Sequence, residues 1–161
     1  MIRVLFVCLG NICRSPSAEA VFRDLVKIRR LETKIQTDSA GTGAWHVGNP
    51  PDERAQLVGQ TRGYRMSDLR ARQAAPEDFE AFDYILAMDN SNLANLERMK
   101  PVSGKAKLFR MLDFGDTGEE EVPDPYYGEL EDYDHVFDLL EPAAEALLDH
   151  ICKTDLADQA E

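Results

Sequence analysis

The chain has 161 residues, the size of one compact domain, and its 30 acidic and 18 basic side chains give a formal net charge of -12. The acidity is concentrated: from residue 113 onward there are 17 carboxylates against one base, Lys153, whereas residues 1–112 hold 17 bases and 13 acids. With no basic arm and no Lys/Arg cluster, the chain lacks the electrostatic footprint for duplex nucleic acid or an anionic membrane.

A hydrophobic content of 43% beside 30% charged residues suits a single water-soluble domain over residues 1–161, with 155–161 expected as a flexible tail. The apolar run at 4–7 is far too short for a signal-peptide core or a membrane span, and a cytoplasmic location is expected. Three cysteines, Cys8, Cys13 and Cys152, cannot all pair, so a cysteine that matters here is reactive rather than a staple.

Residues 2–7 form a nearly continuous apolar run that suits a strand buried on both faces of a parallel sheet. Ser15-Pro16 then supplies an N-cap hydroxyl and a proline for the first helical position, with Ala18, Val21, Phe22 and Leu25 on one helix face. A second strand is expected over 35–39, ending in a glycine-punctuated loop at 40–43. Asn49-Pro50-Pro51-Asp52 reads as a helix start and Gly63 as its stop. Pro76-Glu77-Asp78 opens a short helix, 84–87 is a third strand, and Asp89 or Ser91 starts a helix through Leu93 and Leu96. A fourth strand lies near 105–109, a long polar loop covers 111–130, and Val136, Leu139 or Leu140, Ala143, Leu147 and Ile151 mark one face of a closing helix. Strands alternating with helices predict an α/β fold: an open four-stranded parallel sheet with helices on both faces. Such sheets bind ligands at the carboxyl ends of their strands, which directs attention to the loop after strand 1.

That loop reads Cys8-Leu9-Gly10-Asn11-Ile12-Cys13-Arg14-Ser15-Pro16. Between a buried strand and a helix N-terminus, with Gly10 and Asn11 able to take left-handed backbone geometry, it can turn successive N–H groups inward around a tetrahedral anion. The same field favours the thiolate of Cys8 as a nucleophile, where the bland reading is a small buried hydrophobe. Arg14 can hold two oxygens of the anion through its planar fork, a geometry lysine lacks. Two compatible roles are open to Ser15, helix N-cap or hydrogen-bond donor to the sulfur. Cys13 is either packing behind the loop or a thiol that captures oxidised Cys8 as a disulfide, and Cys152 reads as a core or surface thiol. A cysteinyl-phosphate mechanism also needs an acid. Asp124, held between Pro123 and Pro125 and followed by Tyr126 and Tyr127, is the one carboxylate of the long loop fixed rigidly beside apolar groups.

The loop at 8–16 together with Asp124-Pro125-Tyr126-Tyr127 resembles the low-molecular-weight protein tyrosine phosphatase family. Asp38-Ser39-Ala40-Gly41-Thr42, Trp45, Gly48-Asn49-Pro50-Pro51-Asp52, Ala71-Arg72-Gln73 and the segment at 82–89 carry the same resemblance. It implies Cys8 as nucleophile, Arg14 as phosphoryl binder and Asp124 as acid, then base, in hydrolysis of phosphotyrosine and small aryl phosphates, with no metal or cofactor. It further implies that Ser15 assists thiolate departure, that Asn11 holds the strained loop with Ser39 hydrogen-bonded to it, and that Asp89 braces the site from behind. Leu9, Ile12, Trp45, Tyr126 and Tyr127 would line the slot for the ring. The partner expected is a tyrosine-phosphorylated protein, and the chain is expected to act as a monomer.

One departure is Leu69, where many members carry a histidine, so any bond that imidazole makes to the loop must be absent or replaced. Related enzymes acting on phosphoarginine tend to have threonine where this chain has Ile12, and an apolar wall there favours phosphotyrosine. Arsenate reductases with a similar loop use further downstream cysteines, and residues 88–99 contain none. A phosphoprotein-binding module could dispense with Asp124. The carboxylates at 119–121 and 129–132 are expected to form a negative rim that disfavours acidic phosphopeptides.

Overall fold

A computed structural model describes residues 1–157. Its sheet has four parallel strands in the order β2-β1-β3-β4: β1 Ile2–Cys8, β2 Ile35–Gly41, β3 Tyr84–Ala87 and β4 Lys107–Arg110. β1 lies between β2 and β3, with Ile2 opposite Ile35, Cys8 opposite Gly41, and Val4 opposite Tyr84. The unbroken apolar run of β1 follows from this central place, because its alternate side chains feed two separate cores. Val4, Phe6 and Cys8 join a core with helix α1 (Arg14–Ile28), α2 (Glu53–Thr61) and α5 (Leu130–Thr154). Leu5 and Val7 face the other way, onto Phe79 of α3 (Asp78–Ala81) and Leu96 of α4 (Asn90–Met99). Helices therefore cover both faces, as expected from the alternation of elements.

Connections leave β1 toward β2 on one side, and the chain returns on the other side as β3. This order creates a switch point at the carboxyl ends of β1 and β3, where a crevice forms outside the sheet. Cys8 ends β1, and Asp89, which accepts from the Asn92 N–H at 2.7 Å as N-cap of α4, follows β3 after one residue. Asp52 caps α2 by accepting from the Arg54 N–H at 2.8 Å, and Gly63 follows its last turn with φ of 88°.

Several boundaries depart from the sequence reading, among them β4, which lies at 107–110 where 105–109 was expected. β2 runs two residues further than expected, to Gly41, because Ala40 and Gly41 pair with Val7 and Cys8 and Gly41 lets the loop after β1 lie directly against it. The closing helix starts at Leu130, six residues before its first buried landmark, Val136. Glu129 and Asp132 cap it reciprocally, the Glu129 N–H donating to Asp132 Oδ2 at 2.6 Å. The predicted tail is anchored at its start, since Tyr84 donates its hydroxyl to Asp155 and Leu156 is buried; residues 158–161 lie outside those described. Among the described residues no helix is long and apolar enough to cross a membrane.

Candidate active site

The loop after β1 wraps around the sulfur of Cys8, and both residues of the Cys8–Ser15 pair are buried. The Asn11 N–H donates to Cys8 Sγ at 3.3 Å, and Ser15 Oγ lies 3.0 Å from it. Ser15 is thus not the N-cap. Helix α1 begins two residues earlier than that reading implies, at Arg14, with Cys13 as cap and no side-chain cap bond. Ser15 Oγ instead accepts from Asn11 Nδ2 at 2.8 Å, which leaves its own proton for the sulfur or for the Ala40 carbonyl, 3.4 Å away. Pro16 becomes the third helical residue, still within the first turn, where a missing N–H removes only an orphan donor.

Asn11 adopts the left-handed backbone (φ 58°), but Gly10 does not. A Cβ at Gly10 would sit 3.0 Å from His46 Cδ2, so crowding, not backbone sign, accounts for glycine there. The strained turn at Asn11 is held by its side chain: Nδ2 reaches Ser15, and Oδ1 accepts the Arg72 N–H at 3.0 Å. Leu69, where many family members carry a histidine, packs against the core. The bond implied between Ser39 and Asn11 is not made. Ser39 Oγ donates to Glu19 Oε1 at 2.7 Å, a buried carboxyl on α1.

Burial pushes the Glu19 carboxyl up to about 7, with the Ser39 bond opposing it. Folded Glu19 therefore keeps a proton that the unfolded chain loses near its ordinary value. The associated stability is complete below that value and is lost as pH rises through about 7. Relative to Glu19→Gln, the wild type is expected to lose on the order of 3 kcal/mol between pH 4 and pH 8 in urea unfolding; parallel stability profiles for the two proteins would contradict the buried acid.

The rest of the loop is fastened through its carbonyls. Cys8 O and Leu9 O accept from the Thr42 and Gly43 N–H groups at 2.9 Å each, and Ile12 O accepts from the Asp52 N–H at 2.8 Å. Gly41 makes this close docking possible, because a Cβ there would stand 2.7 Å from Leu9 O and 3.1 Å from the Asn11 N. Gly41→Ala should therefore displace the loop and lower kcat/KM on aryl phosphates about 100-fold, with weaker phosphate inhibition; unchanged values for both would show that the loop tolerates the methyl group.

Arg14 is 3% exposed. Its Nη1 donates to Asp89 Oδ2 at 2.7 Å and to the Val122 carbonyl at 2.9 Å, and its Nη2 lies 3.9 Å from Asp124 Oδ2. Burial alone would weaken its charge, but the Cys8 sulfur, Asp89 and Asp124 outweigh that and raise its pKa. Asp89 thus holds the guanidinium by one charge-assisted bond. Val122 is docked between Arg14 and Met88, its N–H donating to Met88 O at 2.8 Å, which brings the Pro123-Asp124-Pro125 segment over the loop.

These groups share one pocket of about 330 Å³, lined by Cys8, Leu9, Gly10, Ile12, Cys13 and Arg14 at its base. Trp45, His46, Asp124, Tyr126 and Tyr127 form its walls. The Trp45 indole lies where a Cβ on Gly43 would be, and the Tyr126 and Tyr127 rings meet edge to face at 5.0 Å. Asn11, Ser15, Ser39 and Asp89 lie outside the lining and support it. His46 was not expected; its ring stands 6.2 Å from that of Tyr126, and nothing in its surroundings in the sequence marks it. Cys13 Sγ lies 3.5 Å from the Tyr133 hydroxyl, and burial pushes its thiol up to about 12. No group of three or more His, Cys, Asp or Glu among the described residues is arranged to hold a metal ion.

A family model described as low molecular weight phosphotyrosine protein phosphatase matches residues 3–157. The chain belongs to this family. Its members are hydrolases whose chemistry uses a cysteine nucleophile. The phosphatase is 53% identical over 129 residues to the low molecular weight phosphotyrosine protein phosphatase of Schizosaccharomyces pombe, covering 79% of this chain and 82% of that one. The crystal structure of a protein tyrosine phosphatase from Entamoeba histolytica with Hepes in its active site superposes with a TM-score of 0.91 at 44% identity, over 95% of this chain and 98% of that one. The structure of a drosophila arginine phosphatase is also similar, with a TM-score of 0.88 at 36% identity, over 96% and 99% of the two chains. The phosphatase fold is thus shared by proteins named for different phosphorylated residues, and local chemistry must separate them.

Proposed function

We propose that this phosphatase hydrolyses phosphotyrosine and small aryl phosphates through a phosphate ester on Cys8, with Arg14 binding the phosphoryl group and Asp124 as acid and then base. The observation that carries this reading is that the Cys8 sulfur, the Arg14 fork and the Asp124 carboxylate face one pocket of about 330 Å³ with aromatic walls. The phosphate enters with its oxygens toward the loop N–H groups and Arg14, whose Nη1 is already spent on Asp89 and Val122, leaving the remaining donors for the anion. The sulfur attacks phosphorus as the ester oxygen departs, taking a proton from Asp124. Asp124, now a carboxylate, takes a proton from the water that attacks the phosphocysteine; phosphate leaves and the sulfur returns as thiolate, stabilised by the Asn11 N–H and the Ser15 hydroxyl.

Ile12 supports an aryl rather than a guanidinium substrate, because it puts an apolar side chain in the pocket base below Trp45, Tyr126 and Tyr127. Competition between phosphotyrosine and phosphoarginine peptides tests this: preference for phosphotyrosine is expected, and preference for phosphoarginine overturns the substrate assignment. Asp89, Glu119, Glu121, Asp124 and His135 surround a depression beside the slot, which supports the negative rim; peptides with acidic flanks are expected to react more slowly at low salt than basic ones.

A cytoplasmic monomer fits this chemistry. All three cysteines are free, and a thiolate nucleophile persists best in a reducing compartment. Four of the exposed large apolar side chains, Leu9, Trp45, Tyr126 and Tyr127, gather at the substrate slot, whereas Ile28, Leu57 and Val102 belong to α1, α2 and the approach to β4. Capture of oxidised Cys8 by Cys13 would have to overcome the buried, protonated state of the second thiol. Peptide mass spectrometry after mild peroxide should find that disulfide if Cys13 protects the nucleophile, and its absence leaves Cys13 as packing.

A further inference from the structure

We infer that Arg54, on α2, is a positioning residue that holds the Asp124 segment over the phosphate loop, an inference that rests on Asp124 being the general acid. Arg54 makes bonds in two directions. Its Nε and Nη2 donate to the Asp52 carboxylate at 3.1 Å each, and on the other side Nη2 donates to the Tyr126 carbonyl at 2.9 Å and Nη1 to the Gly128 carbonyl at 3.3 Å. The same guanidinium lies 4.9 Å from the Tyr133 ring centre and 5.7 Å from that of Tyr126. Asp52 in turn donates its N–H to Ile12 O, in the wall of the phosphate loop. A continuous bonded path therefore runs from Ile12 through Asp52 and Arg54 to Tyr126 and Gly128.

The acid segment has a second anchor at its other end, Val122, docked on Met88 and Arg14. Between the anchors stand Pro123, Asp124 and Pro125, with the Tyr126 N–H donating to Asp124 Oδ1 at 3.2 Å. The Asp124 carboxylate is 45% exposed, so little packing holds it directly, and its position depends on where its two flanks are tied. Arg14 serves the flank that reaches the phosphate; Arg54 serves the flank that carries the aromatic wall. One guanidinium bonds two carbonyls and a carboxylate, a set of partners that its forked donors can reach together and a single ammonium cannot. Because the bonds go to backbone carbonyls, they do not depend on the Tyr126 ring.

The test is a double-mutant cycle read as kcat/KM on aryl phosphates of graded leaving-group acidity, with Arg54→Met, Asp124→Asn and the pair. Misplacing the acid without touching the nucleophile should cost about 10- to 100-fold on phenyl phosphate, much less on a dinitrophenyl ester, and leave inhibition by inorganic phosphate unchanged. In the Asp124→Asn background the Arg54 change should add no further loss. Arg54→Lys, which keeps the charge, should show the same leaving-group pattern at smaller amplitude, and it stands in if the methionine variant does not fold. A loss equal for all leaving groups, or one that persists undiminished beside Asp124→Asn, overturns the positioning role. If Asp124→Asn alone shows no leaving-group dependence, it is the acid assignment that fails.

Discussion

Replacing Cys8 by serine is expected to lower kcat on aryl phosphates by about 10⁴-fold or more while leaving inorganic phosphate bound at least as tightly as in the wild type. The two halves of this result come from different atoms. Turnover needs the sulfur that the Asn11 N–H and Ser15 stabilise as an anion, and a serine hydroxyl in the same place is a far weaker nucleophile. Anion binding needs the loop backbone and Arg14, which are fixed by Asn11, Thr42, Gly43, Asp52 and Asp89, none of which contacts the substituted atom through its side chain. Removing the sulfur's charge also removes its repulsion of the incoming dianion. Steady-state kinetics and titration with phosphate measure the two separately. Undiminished turnover would move the nucleophile elsewhere, and loss of phosphate binding would mean that the sulfur holds the loop in shape.

Asp124→Asn is expected to reduce kcat/KM for phenyl phosphate by about 10²- to 10⁴-fold and to affect a dinitrophenyl ester far less. The substitution keeps the size of the side chain and its bond from the Tyr126 N–H, but not its ability to donate a proton to the departing oxygen. A phenolate that is already stable leaves without help, whereas a basic one does not. The exposed position of Asp124, 3.9 Å from the Arg14 Nη2, suits this part: it stands at the mouth, beside the point where an ester oxygen would project, and leaves the phosphate to the groups below. Equal losses for both substrates would instead assign Asp124 to binding or folding.

The parts of this site legible in the sequence were those written in contiguous residues. Cys8, Arg14 and Asp124 stood out because each sits in a local context that only a reactive group needs: a strand end, a helix start, a carboxylate between two prolines. The strand at 84–87 was legible because four buried apolar residues in a row leave little alternative. Of the two roles open to Ser15, the N-cap rested on Ser-Pro before an amphipathic stretch, the common helix signature, and it gives way to the other, the contact with the Cys8 sulfur 3.0 Å away. Ser39 illustrates the limit of a one-dimensional reading, since its partner Glu19 lies 20 residues away on α1 and is not the asparagine that the family resemblance implied. β2 was cut short at Ser39 because Ala-Gly-Thr-Gly reads as loop, whereas close backbone approach of Leu9 selects Gly41 inside the strand. His46 and Arg54 had no signature at all. Their importance comes from pairing segments far apart in sequence, Gly10 with Tyr126 in one case and Asp52 with residues 126–128 in the other.

The charge asymmetry takes on a structural sense in this arrangement. The anion cradle belongs to the weakly basic first part of the chain, and the general acid arrives on a segment from the acidic last third, fastened by two arginines of the first part. Arg14 ties Val122, and Arg54 ties Tyr126 and Gly128. The excess of carboxylates left around the mouth is expected to disfavour acidic phosphorylated sequences, as the comparison of acidic and basic flanks would read.

The proposed mechanism turns on a covalent phosphate ester on one sulfur. Mixing Asp124→Asn enzyme with a dinitrophenyl phosphate, quenching in acid within milliseconds and mapping the peptides measures it directly, because the good leaving group still allows phosphorylation while the missing base slows hydrolysis. A phosphoryl group on Cys8 is expected, accumulating to near stoichiometry with the burst of phenolate. A burst-free time course with Cys8 unmodified, or a phosphoryl group on any other residue, would contradict it.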